Sequence, residues 1–177
     1  KSRKIGSRIG ITIFKIILVA FLFAGTVGGF FVYGAVRGII DESPNIGNID
    51  VSPKGLKTTI YDANGNIIQT LVGSGSNRNP VTIDQIPENL KDAFIAIEDS
   101  RFATHEGVDV RGIIRAGFSF FSNGGFTSGA STITQQLIKN NVFDGGAEST
   151  WGARFVRKIQ EQYLAVELEK VMSKDKI

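Results

Sequence analysis

The residues best suited to chemistry lie between Glu98 and Lys139. They are Glu98-Asp99-Ser100-Arg101-Phe102-Ala103-Thr104-His105-Glu106-Gly107-Val108-Asp109, followed by Gly129-Ala130-Ser131-Thr132-Ile133-Thr134-Gln135-Gln136 and Lys139. Glu98 falls near the end of a helical stretch among Phe94, Ile95, Ala96 and Ile97, surroundings that raise a carboxylate's pKa by desolvation and suit it to general base catalysis. For a lone Glu, capping or salt-bridging a structural site is the plainer alternative. Asp99 points about 100° away on a helix and cannot share the same proton-transfer site.

His105 is the only histidine and the chain has no cysteine, so metal ligation has little support and a turn-stabilising or positioning role is favoured. Gly107 is expected to permit a tight turn into Asp109, whose carboxylate then caps the next helix. Thr132 and Gln135 fit a capping box, and Thr132, Gln135, Gln136 and Lys139 follow the spacing of one helix face. Such a stripe is usually just solvated. Here the exposed amides of a helix start beside Gly129, with a lysine further on, would also suit phosphate. Arg154, Arg157, Lys158 and Glu161 group on one side of a later helix. The cations suit a diphosphate, and Glu161 would orient them or supply a second carboxylate; ordinary surface ion pairing gives the same pattern.

These groups need elements to position them. Pro87-Glu88 opens a helix with Leu90, Phe94, Ile97 and Phe102 on its apolar side. A second helix is expected over Val110 to Phe121, a third from near Ser131, and a fourth over Trp151 to Val171 with Phe155, Ile159, Tyr163 and Val166 as its buried stripe. Between the second and third, Ser122 to Gly129 is too glycine-rich to be regular and is expected to move. Phe118, Phe120, Phe121 and Phe126 exceed what one face of a short helix buries, which suits either lipid contact or a packed core. Upstream, Thr58-Thr59-Ile60-Tyr61 and Ile67-Ile68-Gln69-Thr70-Leu71 flank a turn-rich joint and predict a hairpin. Gly73 to Asn79 reads as a flexible link.

Ile16 to Val36 is an uncharged run long enough for a helix to cross a bilayer, with Lys1, Arg3, Lys4, Arg8 and Lys15 before it. Positive flanks stay cytoplasmic, so the N-terminus is expected inside and the rest outside; an uncleaved anchor is favoured over a signal peptide. The organisation expected is a basic tail over 1–15, a transmembrane helix over 16–36, a stalk over 37–56 and one mainly α domain over 57–177. The net charge of +3 conceals an asymmetry: residues 1–37 hold no acid, and the remainder is slightly acidic. Nucleic acid is therefore not an expected partner.

Together these residues resemble the peptidoglycan glycosyltransferase domain, glycosyltransferase family 51, of class A penicillin-binding proteins. Glu98, Asp99, Phe102, His105 and Gly107 match its first motif, E-D-x-x-F-x-x-H-x-G. Gly129 with Ser131 to Gln136 matches the second, with Ala130 where glycine is usual, and Arg157-Lys158-x-x-Glu161 matches the third. The resemblance covers about residues 55–177. It implies a lysozyme-like, mainly helical fold with a membrane-associated jaw between the first two motifs.

It further implies that Glu98 deprotonates the GlcNAc 4-hydroxyl of lipid II, which attacks the anomeric carbon of the growing glycan chain and expels undecaprenyl diphosphate with inversion. Lys139, Arg157 and Lys158 would stabilise the diphosphate, with Glu161 supporting them as the second catalytic carboxylate. Gln135 and Gln136 would hold donor sugar or phosphate, and Asp99, Phe102, His105 and Thr132 complete the expected substrate-binding set. No cofactor is required; a divalent cation, Mg or Mn, would suit the diphosphate, though no ligand spacing demands it. Implied partners are lipid II, the growing glycan, the cytoplasmic membrane and cell-wall assembly proteins.

Ser173-Lys174-Asp175-Lys176-Ile177 falls where the family's fourth motif would begin. The chain is therefore expected to be an N-terminal fragment with little activity by itself. Two other functions fit the same residues: a glycan hydrolase on the same scaffold, and a non-catalytic, membrane-tethered cell-wall binding module. Whether a transpeptidase follows, and which stem peptide is preferred, are not written in these residues.

Overall fold

The computed structural model describes residues 2–52, 55–73, 77–124 and 129–177. It divides into two compact units between Ser43 and Pro44. The first is one helix, α1 (Ser2–Asp41). Within it, Gly10–Asp41 has a mean hydropathy of 2.3 and is long and apolar enough to cross a membrane. Its side chains from Ile11 to Tyr33 are exposed, as a lipid-facing surface requires, and Thr26 returns its hydroxyl to the Leu22 carbonyl at 2.8 Å. Gly25 and Gly29 face open space.

The second unit is mainly helical, with a single two-stranded sheet among the described residues. β1 (Thr58–Tyr61) pairs antiparallel with β2 (Ile67–Leu71), Thr58 opposite Leu71 and Thr59 opposite Thr70, with an irregularity at Ile60/Tyr61. Asp62 builds the turn. Its Oδ1 accepts the amides of Asn64 and Asn66, each at 2.8 Å, and its Oδ2 accepts the Asn66 side chain at 2.9 Å. The Asn66 side chain, then the Asn66 amide, hold the Asp62 carboxyl below its ordinary range.

Four helices follow: α2 (Glu88–Glu98), α3 (Val110–Asn123), α4 (Ile133–Val142) and α5 (Trp151–Val171). The core forms where α4 crosses α5, around Ile138, Leu164 and Leu168, with Leu137, Val142, Phe143, Tyr163 and Met172 against them. Ile46, Ile49 and Val51 also pack there. The expected stalk over 37–56 thus contributes apolar anchors: its polar, turn-forming composition conceals three aliphatic residues placed to meet the core.

Two expectations about buried faces need correction. On α5 the buried residues are Glu161, Leu164, Ala165 and Leu168, while Phe155 is exposed and Ile159, Tyr163 and Val166 are only half-buried. Apolar periodicity missed this face because a charged residue occupies its centre. On α2 no residue is buried; Leu90, Phe94 and Ile97 are exposed, and Leu90 and Phe94 line an open groove of about 640 Å³ with Ile83, Ile86 and Phe102. Periodicity identifies an apolar face without identifying what covers it. Of the two readings left open for the α3 phenylalanines, a packed core is the one not met: Phe118, Phe120 and Phe121 are exposed. Phe126, with residues 125–128 of the glycine-rich loop and 74–76 of the link, lies outside the described residues.

Candidate active site

The end of α2 and the turn after it are tied to the start of α4 by hydrogen bonds of two adjacent carboxylates of opposite exposure. Glu98, the last residue of α2, is exposed, and its Oε2 accepts the Gln136 side-chain amide at 2.7 Å. Asp99, its neighbour, is buried. Asp99 Oδ2 accepts the His105 Nε2–H at 2.8 Å and the Ile133 backbone N–H at 3.1 Å. A carboxylate oxygen can only accept, so His105 Nε2 carries a proton, and the buried Nδ1 has no hydrogen-bond partner among the described residues. Ile133 is the first residue of α4, whose amide no helical carbonyl can satisfy, and Asp99 fills that need.

Gly107 ties the same turn to α5. Its backbone is left-handed (φ 83°), and an added Cβ would lie 2.5 Å from both the carbonyl carbon and the oxygen of Ala165. Its carbonyl oxygen accepts the Thr132 hydroxyl at 2.7 Å and the Gln135 side-chain amide at 3.4 Å. Thr132 also caps α4, accepting the Gln135 N–H at 3.2 Å. The expected capping box is therefore half made, because Gln135 turns its side chain to Gly107 and Lys158 instead of back to Thr132. Thr132 and Gln135 are buried, contrary to a solvated polar stripe.

Cations and carboxylates gather along α5. Lys158 Nζ donates to Ser131 Oγ at 2.7 Å and Gln135 Oε1 at 3.1 Å, and lies 3.2 Å from Glu161 Oε2. Arg157 pairs with Glu161 and, through Nε, with Glu148 at 2.7 Å. Although burial lowers it, the bond to Glu148 and the Glu161 charge hold the Arg157 pKa above its ordinary value. Burial raises the Glu148 carboxyl, yet its own backbone amide and Arg157 bring it below its usual range. Glu161 itself is buried beneath both cations. Lys158 also borders a cavity of about 380 Å³ with Ser131, Gly129, Ala130, Ala116 and Gln162. Of the two paired cations, Lys158 is the more exposed, and it borders this cavity.

Glu98 and Lys158 are joined through consecutive residues of one helical turn: Gln136 holds the first and Gln135 the second. Lys139 follows on α4, half-buried and in no ion pair among the described residues. Arg154 is exposed and donates to the Ser149 carbonyl at 3.1 Å, apart from the Glu161 cluster. Phe102 is buried, its ring edge-on to His105 with centroids 6.2 Å apart and Lys174 Nζ 4.4 Å above it. The expected desolvation of Glu98 by Phe94 and Ile97 is not met, since Glu98 and both of these apolar side chains point outward. Asp109 sits at the N-cap of α3, its carboxylate paired with Arg101 and also drawn down in pKa by the Gly112 amide of the helix's first turn, although the contact falls short of full capping geometry.

Sequence reasoning missed Ser131 and Glu148 as partners of the cations, and missed Thr134, Glu169 and Lys174, whose side chains form a second buried cluster beneath Phe102. Only Glu148 carried a signal, an acid close before Arg154 and Arg157. Among the described residues, no three of His, Cys, Asp and Glu group to hold a metal ion, and Glu148 and Glu161 are already paired with cations.

A transglycosylase family model matches residues 64–177, and the chain belongs to that family. Penicillin-binding protein 1A of Clostridium perfringens (strain 13 / Type A) is 39% identical over 165 residues, covering 91% of this chain and 23% of that protein. Penicillin-binding protein 1A of Escherichia coli (strain K12) is 40% identical over 146 residues, 82% of this chain and 16% of that protein. Penicillin-binding protein 1F of Bacillus subtilis (strain 168) is 38% identical over 162 residues, 92% and 21% respectively. The chain thus spans less than a quarter of the length of these curated relatives.

Proposed function

We propose that the protein this chain represents is a peptidoglycan glycosyltransferase that polymerises lipid II at the outer face of the cytoplasmic membrane, anchored by α1 with its N-terminus inside. The observation that carries the reading is the link from Glu98 through Gln136 and Gln135 to Lys158, which puts a fixed carboxylate and a cation beside the same turn of α4.

Glu98 takes the proton of the acceptor's 4-hydroxyl. The oxygen then forms a bond to the anomeric carbon of the growing chain as that carbon's bond to the diphosphate breaks, with inversion. Negative charge grows on the departing oxygen, and Lys158, facing the cavity, neutralises it with help from Lys139. Arg157 and Glu161 act beneath Lys158, fixing its position. Glu98 is exposed, so in this reading the substrate supplies the dry surroundings that strengthen the base. The exposed α3 phenylalanines suit contact with lipid.

The test is Glu98→Gln in the full-length parent protein with lipid II. Polymerisation should fall by about three orders of magnitude or more while lipid II binding persists. Retained polymerisation would remove Glu98 as the base, and shortening of preformed glycan in place of chain growth would favour a hydrolase.

A further inference from the structure

The start of α5 presents an aromatic pair that the proposed reaction does not use. Trp151 and Phe155 stack nearly parallel, with centroids 5.5 Å apart and planes 13° from one another, yet Trp151 is 78% exposed and Phe155 51% exposed. The helix start holding them is well made: Thr150 caps it by accepting the Ala153 N–H at 3.3 Å. One face of the indole rests on Phe155, and the rest is open.

Trp151, Phe155, Lys158 and Gln162 succeed one another at i, i+4, i+7 and i+11, one face of the helix. Lys158 and Gln162 line the 380 Å³ cavity. The aromatic pair therefore continues the cavity's own wall outward. Around it the chain supplies Glu148, Ser149, Thr150 and Arg154, groups of both charges and of hydrogen-bonding capacity. An acyl chain would strip water from these groups without replacing their hydrogen bonds. A pyranose ring has an apolar C–H face for the indole and a rim of hydroxyls for the polar surround.

We propose that Trp151, backed by Phe155, is a stacking platform for a sugar ring of a β-1,4-linked N-acetylhexosamine glycan, in line with the cavity at Lys158. The inference rests on the transferase reading and extends it from the reacting bond to the grip on the polymer. It involves no covalent step.

Trp151 is the chain's only tryptophan, so intrinsic emission reports on this position alone. The full chain in detergent micelles is titrated with chitotetraose, and separately reconstituted in phosphatidylglycerol vesicles with brominated acyl chains. A saturable change in emission with the saccharide, and no bromine quenching, is the expected result. By calorimetry Trp151→Ala should weaken chitotetraose binding about fivefold to tenfold and Trp151→Phe less, as loss of one aromatic contact implies. An emission spectrum indifferent to the saccharide overturns the platform, and so does quenching by brominated lipid. Should Trp151→Ala misfold, the wild-type titration and Trp151→Phe still decide. A response without polymerisation by the parent protein would defeat the transferase reading alone, and polymerisation without a response would defeat the platform alone.

Discussion

Gly107 lies against the Ala165 peptide of α5 with no room for a side chain, and this contact locks the turn after α2 onto the helix that carries the cations. Gly107→Ala must both hold a left-handed backbone and displace main chain. Thermal unfolding should show a loss of about 3 kcal/mol or more. A change within about 0.5 kcal/mol, the range of ordinary surface substitutions, would mean that α5 yields easily at Ala165.

Adjacent carboxylates should behave oppositely. Asp99 is buried and accepts bonds from His105 and the first amide of α4, so Asp99→Ala should cost about 2 kcal/mol through the donors left unsatisfied. Glu98 is exposed with a single side-chain partner, and Glu98→Gln should shift stability by no more than about 0.5 kcal/mol. Denaturation midpoints of the two variants decide it. Equal losses would contradict the division between a supporting and a reacting residue.

Removing Glu161 leaves Arg157 and Lys158 facing one another without their shared buried counter-charge. Glu161→Ala should destabilise by about 1–3 kcal/mol, since Arg157 keeps Glu148 and Lys158 is partly exposed, and should loosen the aim of Lys158. Lys158→Ala, partly exposed, should cost much less stability while lowering polymerisation by the parent protein. A variant lacking Glu161 that unfolds like wild type would show that the cations position themselves.

The Arg101 pair sets a pH dependence. The hydrogen bond from Arg101 holds the Asp109 carboxyl below its ordinary value, so the folded state binds this proton less readily than the unfolded chain. The stabilisation is complete above the unfolded value of about 3.9 and is lost as pH falls through the depressed folded value. Asp109→Asn should lose about 1 kcal/mol at neutral pH and show a flatter decline on acidification below about pH 4. Parallel acid profiles for the two proteins would remove the pair as a source of acid sensitivity.

The elements were legible because their signals are local. Pro87 stands at a helix start, and the Asp62-to-Asn66 joint carries its own turn chemistry. The motif residues also meet, Glu98 with Gln136 and Lys158 with Glu161, because their spacing fixes helix faces that packing then brings together. Burial was less legible. Glu161 at the centre of the α5 face defeats a search for apolar period, and Ile46 hides in a polar segment. Conversely, the α2 residues Phe94 and Ile97 look like core by pattern but are exposed. Pattern reports what a side chain prefers, whereas burial depends on which distant segment arrives.

The four charges of the α5 cluster cancel: Arg157 and Lys158 are matched by Glu148 and Glu161. Such a cluster attracts an approaching anion from afar only feebly, and must recognise it at contact through the aim of Lys158 and the hydroxyl of Ser131. Encounter with a charged ligand should then be nearly insensitive to ionic strength, unlike capture by an unbalanced basic patch.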